Sequence, residues 1–546
     1  MSHHLLAEEG LGQIPKILTL LDRNPHSPTY GCFDRTHWHY RTLDFPNGMT
    51  QLGVLPLALA YTLDIAGNPF YRQDNLREWA HASIRFSMQN AHRDGSCDEY
   101  FPFERAGGAT AFALFAALQA YEMLNLADDA LLAFFERRAS WLAGHLESGR
   151  LANHQALISL CLYLAGRLLS TDRWRAEAQR RLDLVLSWQT DEGWFQEYDG
   201  CDPGYLTWTI SFLAHIHQLE PSPRLQEALT SAVRFAAHFV HPDGSFGGEN
   251  GNRNSHYFFP QGFELVGRWL PEALAVNDRF LVGLQADHHP CFTADNIVFH
   301  HVWNYLTAWR DRVADRPKPD PIPEGRTWFP KAGMLIERRR SQTVYAALHK
   351  GGVFQGFCAD QPALADTHFS VRLRDGRNAV GHLAGDYEVE ITPDRVIVSG
   401  SLAWAKQTRM TYLNMLILRG FMLSVGWMCA NFVRRLLQKM LIVGRREAPF
   451  RFRRDFCWDG ATFCIEDQLE ADSWDDVTEV ILGRGQTSTF ADISRTFHYS
   501  QLLPWTDLTK QVQRLAPGEK LTVSRRLEEH VSDGAADQND HAVPPL

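Results

Sequence analysis

Six short segments concentrate the side chains of this sequence that could do chemistry on a ligand. They read DFPNG at 44–48, DGSCDEYFPFERAGG at 94–108, RLANHQ at 150–155, EGWFQEYDGCDPGY at 192–205, DGSFGGENGNRNSHY at 243–257 and ADNIVFHH at 294–301. In 252–257, Arg253 could clamp a carboxylate through two parallel N–H···O bonds, with His256 and Tyr257 opening the next helix beside it. The same Asn and Arg could instead only cap that helix and hold the turn. Glu104 with Arg105, and His300 with His301, are weaker candidates of the same kind. Trp38, Tyr100, Trp194 and Trp208 offer aromatic platforms for a glycan, and Tyr198 joins them as a binding residue. Hydrolysis of a glycosidic bond needs two carboxylates roughly 5–10 Å apart, and Glu104, Glu197 and Glu249 are the ones these loops supply.

The loops can act together only if the elements between them bring them to one place. Glycine turn signals at Gly48, Gly95, Gly149, Gly193 and Gly244, with a sixth loop at Pro290, recur about every 50 residues, enough for two helices and their connections. A strongly apolar helix follows each turn, at about 50–65, 108–124, 153–168, 205–218, 257–270 and 294–310. More charged, amphipathic helices such as NLREWAHASIRFSMQ at 75–89 lie between them. A helix apolar on most sides is buried and an amphipathic one faces water, so the pattern predicts an inner and an outer ring, an (α/α)6 toroid over 1–313. An open stack of hairpins is the alternative. In the toroid all six loops open at one end, around a cleft suited to a polyhydroxylated ligand.

The segment 314–330 holds five prolines and reads as a linker. Beyond it, short alternating runs such as TVYAALH and DYEVEITPDRVIVSG predict a β domain over 331–531. The expected fold class is therefore α+β multidomain, the toroid followed by an antiparallel β-sandwich. The tail at 532–546 has no apolar periodicity and reads as disordered.

At 546 residues with 45% hydrophobic composition the chain can build large cores. With 54 Lys and Arg against 64 Asp and Glu, the formal charge of −10 removes the usual reason to expect a nucleic-acid partner. Nine cysteines without a CxxC pair read as reduced thiols rather than a disulfide framework or zinc ribbon. The first residues, MSHHLLAEEGLGQIPK, carry no secretory signal pattern, so the chain is expected in the cytoplasm or starts after processing.

Two segments resemble a known family. LANHQALISLCLYLAG at 151–166 resembles the Asn-His inner helix of the heparinase II/III and alginate-lyase-like polysaccharide lyases, and EGWFQEYDGCDPGYLTW at 192–208 resembles the loop and Tyr-bearing helix that follow it. The order of domains matches as well. The resemblance implies a carbon–oxygen lyase that cleaves an acidic, uronate-containing polysaccharide by β-elimination, with no cofactor. A base removes the C5 proton, charge builds on the adjacent carboxylate, and the C4 oxygen leaves with help from an acid. By resemblance, Asn153 and His154 stabilise that charge as an oxyanion site does, and Tyr205 is general base or acid. A uronyl C5-epimerase, or a non-catalytic glycan-binding protein of polysaccharide biosynthesis or export, are the alternatives.

The β domain departs from the family. Relatives often supply a second catalytic histidine in a His-Gly-His-Ala-Asp type of motif after a Lys-Gly-Gly turn. The turn is present in HKGGVFQGF at 349–357, but Pro362 and Leu364 occupy the histidine positions in QPALADTHFSVRL. His368 is expected on the same strand face as Asp366 and could replace the missing base. The two could also hold a structural metal ion, although two ligands are too few to argue for one.

From Tyr412 to Val433 only Arg419 is charged, and Arg434, Arg435, Lys439, Arg445 and Arg446 follow. The segment 412–444 reads as a buried helix or strand pair packed on the toroid, as an interfacial segment on anionic headgroups, or least as a span, where Arg419 is costly. The interfacial reading places the protein peripherally at the inner membrane.

Overall fold

The computed structural model describes residues 3–288, 295–316, 322–405, 411–437, 446–483 and 506–527, apart from 148, 199, 431, 434, 435, 461 and 517. The tail 532–546, most of the proline-rich segment's centre, and Arg434, Arg435, Lys439 and Arg445 lie outside the described residues.

The first half is helical. Six helices that are buried nearly all round follow the loops: Val54–Thr62 (led in by the 3-10 turn Met49–Gly53), Gly107–Met123, Ala152–Leu168, Pro203–Leu219, Gln261–Gly267 and Asp295–Arg310. Each packs against the next, and the last packs back on the first. Their apolar character follows from having neighbours on every side. Between them Asp74–Gln89, Asp129–Gly144, Arg175–Ser187, Pro223–Ala237 and Pro271–Gln285 each pack on the preceding inner helix. Pro223–Ala237 shows the rule: Leu225, Ala228, Leu229, Ala232, Val233 and Ala236 are buried, the 3–4 spacing of a single stripe. The amino-terminal helix His3–Gly12 packs on Asp295–Arg310 and so takes the outer place beside the last inner helix.

The turns that lead back inward are held by glycine. Gly193 and Gly244 have φ of 102° and 78°, and a Cβ on either would sit 2.3 Å from the backbone of the following outer helix, at Ser231 and Gly283. Only glycine suits both demands.

The fifth inner helix starts later than its sequence predicts. Residues 254–259 form no regular element, and the helix begins at Gln261 after Pro260, because proline pushes the residue before it out of the helical region. His256 and Tyr257 therefore lie on the irregular lead-in to the helix, not on it.

The second half is sheet. Gly325–Phe329, inside the expected linker, is the first strand of a five-stranded antiparallel meander completed by Met334–Arg339, Gln342–Ala347, Val353–Cys358 and Gln361–Asp366. A second, nine-stranded sheet runs in the order Thr506–Asp507, Val477–Leu482, Phe369–Leu373, Asn378–Val380, Arg395–Trp404, Glu447–Asp459, Thr462–Ala471 and Leu521–Arg526, with Glu388–Ile391 added on Arg395–Trp404. Alternation along the meander serves two cores: Leu335, Val344 and Ala346 join the cluster shared with the second sheet, while Met334, Ile336 and Tyr345 join the helical core. The halves are thus packed through one face of the meander. Polar contacts reinforce the joint, with Tyr345 Oη donating to Val240 O at 3.2 Å. Glu192 accepts from the backbone N–H groups of Lys331 (2.7 Å) and Ala332 (2.9 Å).

Among its described residues, the apolar insertion does not pack inside the protein. Tyr412–Ser424 is a helix followed by the 3-10 turn Gly426–Cys429, and most of its side chains face solvent. Among the described residues no helix is long and apolar enough to cross a membrane.

Candidate active site

The start of the Ala152–Leu168 helix is tied to the loop that precedes the next inner helix. Leu151 bridges Glu197, and Tyr198 N–H donates to Arg150 O at 3.2 Å. Asn153 is fully buried; its N–H donates to Glu197 Oε2 at 3.3 Å, and its amide lies beside the same carboxyl. Burial pushes the Glu197 carboxyl up from 4.5 to about 7, against the pull of His154 and the Asn153 hydrogen bonds.

His154 keeps part of its ring at the surface. Its Nδ1 lies 2.7 Å from Glu147 Oε2, so the buried carboxylate accepts the Nδ1 proton and selects the tautomer with the lone pair on Nε2. The space for the ring is made by Gly108, where a Cβ would come within 2.5 Å of His154 Cε1.

Tyr205 stands in the first turn of Pro203–Leu219. Asp202 caps that helix, accepting from Tyr205 N–H at 3.1 Å, and Pro203 starts it with its φ already helical. The same carboxylate accepts from Arg253 N–H at 2.8 Å and from the Ser255 hydroxyl, which fixes the 252–255 loop against Tyr205. Arg253 lies over the Tyr198 ring at 4.4 Å, and its Nε has no hydrogen-bond partner among the described residues. Tyr198 and Tyr257 flank Tyr205 at 5.9 and 5.6 Å between ring centres. Burial raises the Tyr205 phenol well above its usual value, with Tyr198 and Tyr257 adding to the rise, so it is protonated at neutral pH. His154, Tyr198, Tyr205 and Arg253 are partly exposed, while Glu147, Asn153, Glu197 and Asp202 are buried behind them.

Other predicted residues form the floor. Trp208 stacks on Phe259 at 4.5 Å, and His301 stacks on the same ring at 4.9 Å. His300 is wedged between Phe112 and Trp208 at 4.7 and 4.6 Å, and burial holds its pKa well below the usual range. Tyr257 is buried there too, 5.6 Å from Trp208, whereas His256 is buried against Gly248. Glu104 is turned into its own loop, accepting from the N–H groups of Glu99 (3.1 Å) and Tyr100 (2.7 Å), while Arg105 pairs with Asp94 at 2.9 Å. Trp194 is buried, and its Nε1 donates to Glu192, the residue that joins the two halves, which makes it part of that joint.

His368 does not share a strand face with Asp366. The strand ends at Asp366, and His368, with φ of 90°, lies in the crossover to Phe369–Leu373 of the other sheet. Its ring packs on Phe452 at 4.2 Å, and its Nδ1 accepts from Phe369 N–H. Asp366 is occupied by Arg454 and Arg525, which also pair with Asp467 in a buried quartet. Those contacts leave no Asp366–His368 metal pair.

Glu147, Asp202 and Lys350 carry roles that sequence reasoning did not assign. The Asp-Pro-Gly run was a readable cap signal for Asp202. Lys350, in the Lys-Gly-Gly turn of the β half, is buried in the 249–254 loop of the helical half. Its ammonium donates to Glu249 O (2.5 Å), Gly251 O (3.1 Å) and Asn254 Oδ1 (2.5 Å), and burial lowers its pKa to about 8.

No family model matches the chain, and no curated protein sequence matches it. Among solved structures it is similar to the chondroitin AC lyase of Streptomyces coelicolor A3, with a TM-score of 0.52 and 12% identity over 88% of this chain and 67% of that one. A Paenibacillus xanthan lyase gives a TM-score of 0.52 and 10% identity over 87% of this chain and 46% of that one, so the chain spans less than half of that enzyme. A heparinase III gives 0.42 and 11% over 89% and 73%. These structural neighbours are polysaccharide lyases, and the chain shares the fold of the first two.

Proposed function

We propose that the protein is a polysaccharide lyase that cleaves a uronate-containing glycan by β-elimination. The observation that carries this reading is the convergence of His154, Tyr205 and Arg253, from three successive inner-helix loops, on one partly exposed patch backed by Glu147, Glu197 and Asp202. The return of the last inner helix onto the first supports a closed (α/α)6 toroid, which directs those loops to one end.

Each group suits one part of the elimination. Arg253, a partly exposed cation beside Tyr205, meets the uronate carboxylate and makes the C5 proton more acidic. His154, its tautomer set by Glu147, accepts that proton at Nε2. The protonated phenol of Tyr205 gives its proton to the departing C4 oxygen as the C4–O bond breaks and the C4–C5 double bond forms. Asn153 acts from behind, through Glu197. Incubation with a panel of uronate polymers, followed by the ultraviolet absorbance of the unsaturated product, checks this. The parent should give the signal, and His154→Ala and Tyr205→Phe should each lower kcat by roughly 10²–10⁴-fold. Product from no uronate polymer contradicts the reading, and C5 deuterium uptake without cleavage identifies an epimerase instead.

A further inference from the structure

Twelve of the eighteen large apolar side chains that are exposed among the described residues fall between 412 and 436. Soluble monomers rarely show so concentrated an apolar surface without something to cover it. Tyr412 is 94% exposed, Leu416 68%, Ile417 60% and Met428 66%. The six consecutive residues Tyr412–Ile417 are all exposed and, at about 3.6 residues per turn, pass through more than one full turn of the helix. The first turn and a half of the helix, apolar but for Asn414, is therefore uncovered on every side, and the helix meets the protein only further on, at Met422. A protein groove covers one stripe of a helix, whereas the upper acyl region of a bilayer surrounds it.

Charge points to the same occupant. Residues 412–446 contain six basic and no acidic residues, within a chain of formal charge −10. That local excess suits anionic headgroups. The insertion is also held in place rather than loosely tethered. Met422 and Val433 pack with Phe101, and Arg419 pairs with Asp44, so the helix stands on the first two of the six inner-helix loops.

We infer that the segment 412–429 is a membrane-attachment element that seats its apolar helix in the interfacial region of an anionic bilayer and presents the loop end of the helical half to the lipid surface. This inference goes beyond the proposed reaction and does not depend on it.

Flotation of the full-length protein with phosphatidylcholine vesicles, with and without phosphatidylglycerol, tests it alongside Leu416→Glu/Ile417→Glu. Both positions are exposed, so the variant should keep its circular dichroism. The parent should float with anionic vesicles, bind neutral ones at least tenfold more weakly, and lose vesicle binding in the double variant. A parent that stays in the soluble fraction overturns the inference, as does a folded variant that floats equally well. A parent dimer that the variant dissociates, without vesicle binding, assigns the patch to contact between copies and also overturns it.

Discussion

Glu197 is buried between the helix start that carries His154 and the one that carries Tyr205, and its carboxyl holds a proton up to about pH 7 rather than 4.5. The folded state binds that proton more tightly than the unfolded chain, so its stabilisation is complete below 4.5 and lost as pH rises through about 7. Chemical denaturation of the parent and Glu197→Gln should therefore show the parent losing on the order of 1–3 kcal/mol relative to the variant between about pH 5 and about pH 8. A pH-independent difference contradicts the buried proton. Gly108→Ala tests the geometry of His154 in the same neighbourhood. Its Cβ would meet the imidazole, so kcat should fall at least tenfold while the circular dichroism is kept; unchanged kcat would show that the ring need not sit where Gly108 admits it. The residue types in these loops were readable as candidate chemistry, because Asn, His, Tyr and Arg cluster at successive turns. Their division into exposed and supporting groups was not readable. Asn153 and His154 are neighbours in sequence, yet one is sealed behind Glu197 and the other reaches the surface.

The alternation of apolar and amphipathic segments exposed the inner and outer helices, because burial on all sides and burial on one stripe leave different sequence periods. The contacts that lock loops together leave no such trace. Asp202 reaches Ser255, and Lys350 reaches the 249–254 loop, across 53 and 96 to 101 residues. Pro260 delayed the fifth inner helix, which put His256 and Tyr257 in its irregular lead-in. Within the sheets, Asp366 could be read as half of a metal pair because its arginine partners lie 88 and 159 residues away. Arg454, Asp366 and Asp467 are fully buried, and leaving one arginine without its carboxylate uncovers a charge in the core. Asp467→Asn should cost about 3–5 kcal/mol in denaturant unfolding. A cost below about 1 kcal/mol would mean that the quartet is dispensable.

At the scale of the whole molecule, the sheet half completes the helical half. Glu192 holds the first turn of the meander, and Lys350 holds the loop that carries Arg253. The order of a helical half before a sheet half was legible from the change of period near residue 320, while the joint was not, since it depends on one face of each meander strand. The central claim is that this assembled site breaks a C4–O bond by elimination rather than by adding water. Mass spectrometry of the products formed in water enriched in heavy oxygen tests that claim most directly. Elimination predicts fragments whose masses sum to that of the substrate, one ending in an unsaturated uronate, with no heavy oxygen in either. Fragments that together gain one water carrying the heavy isotope would contradict it and identify hydrolysis.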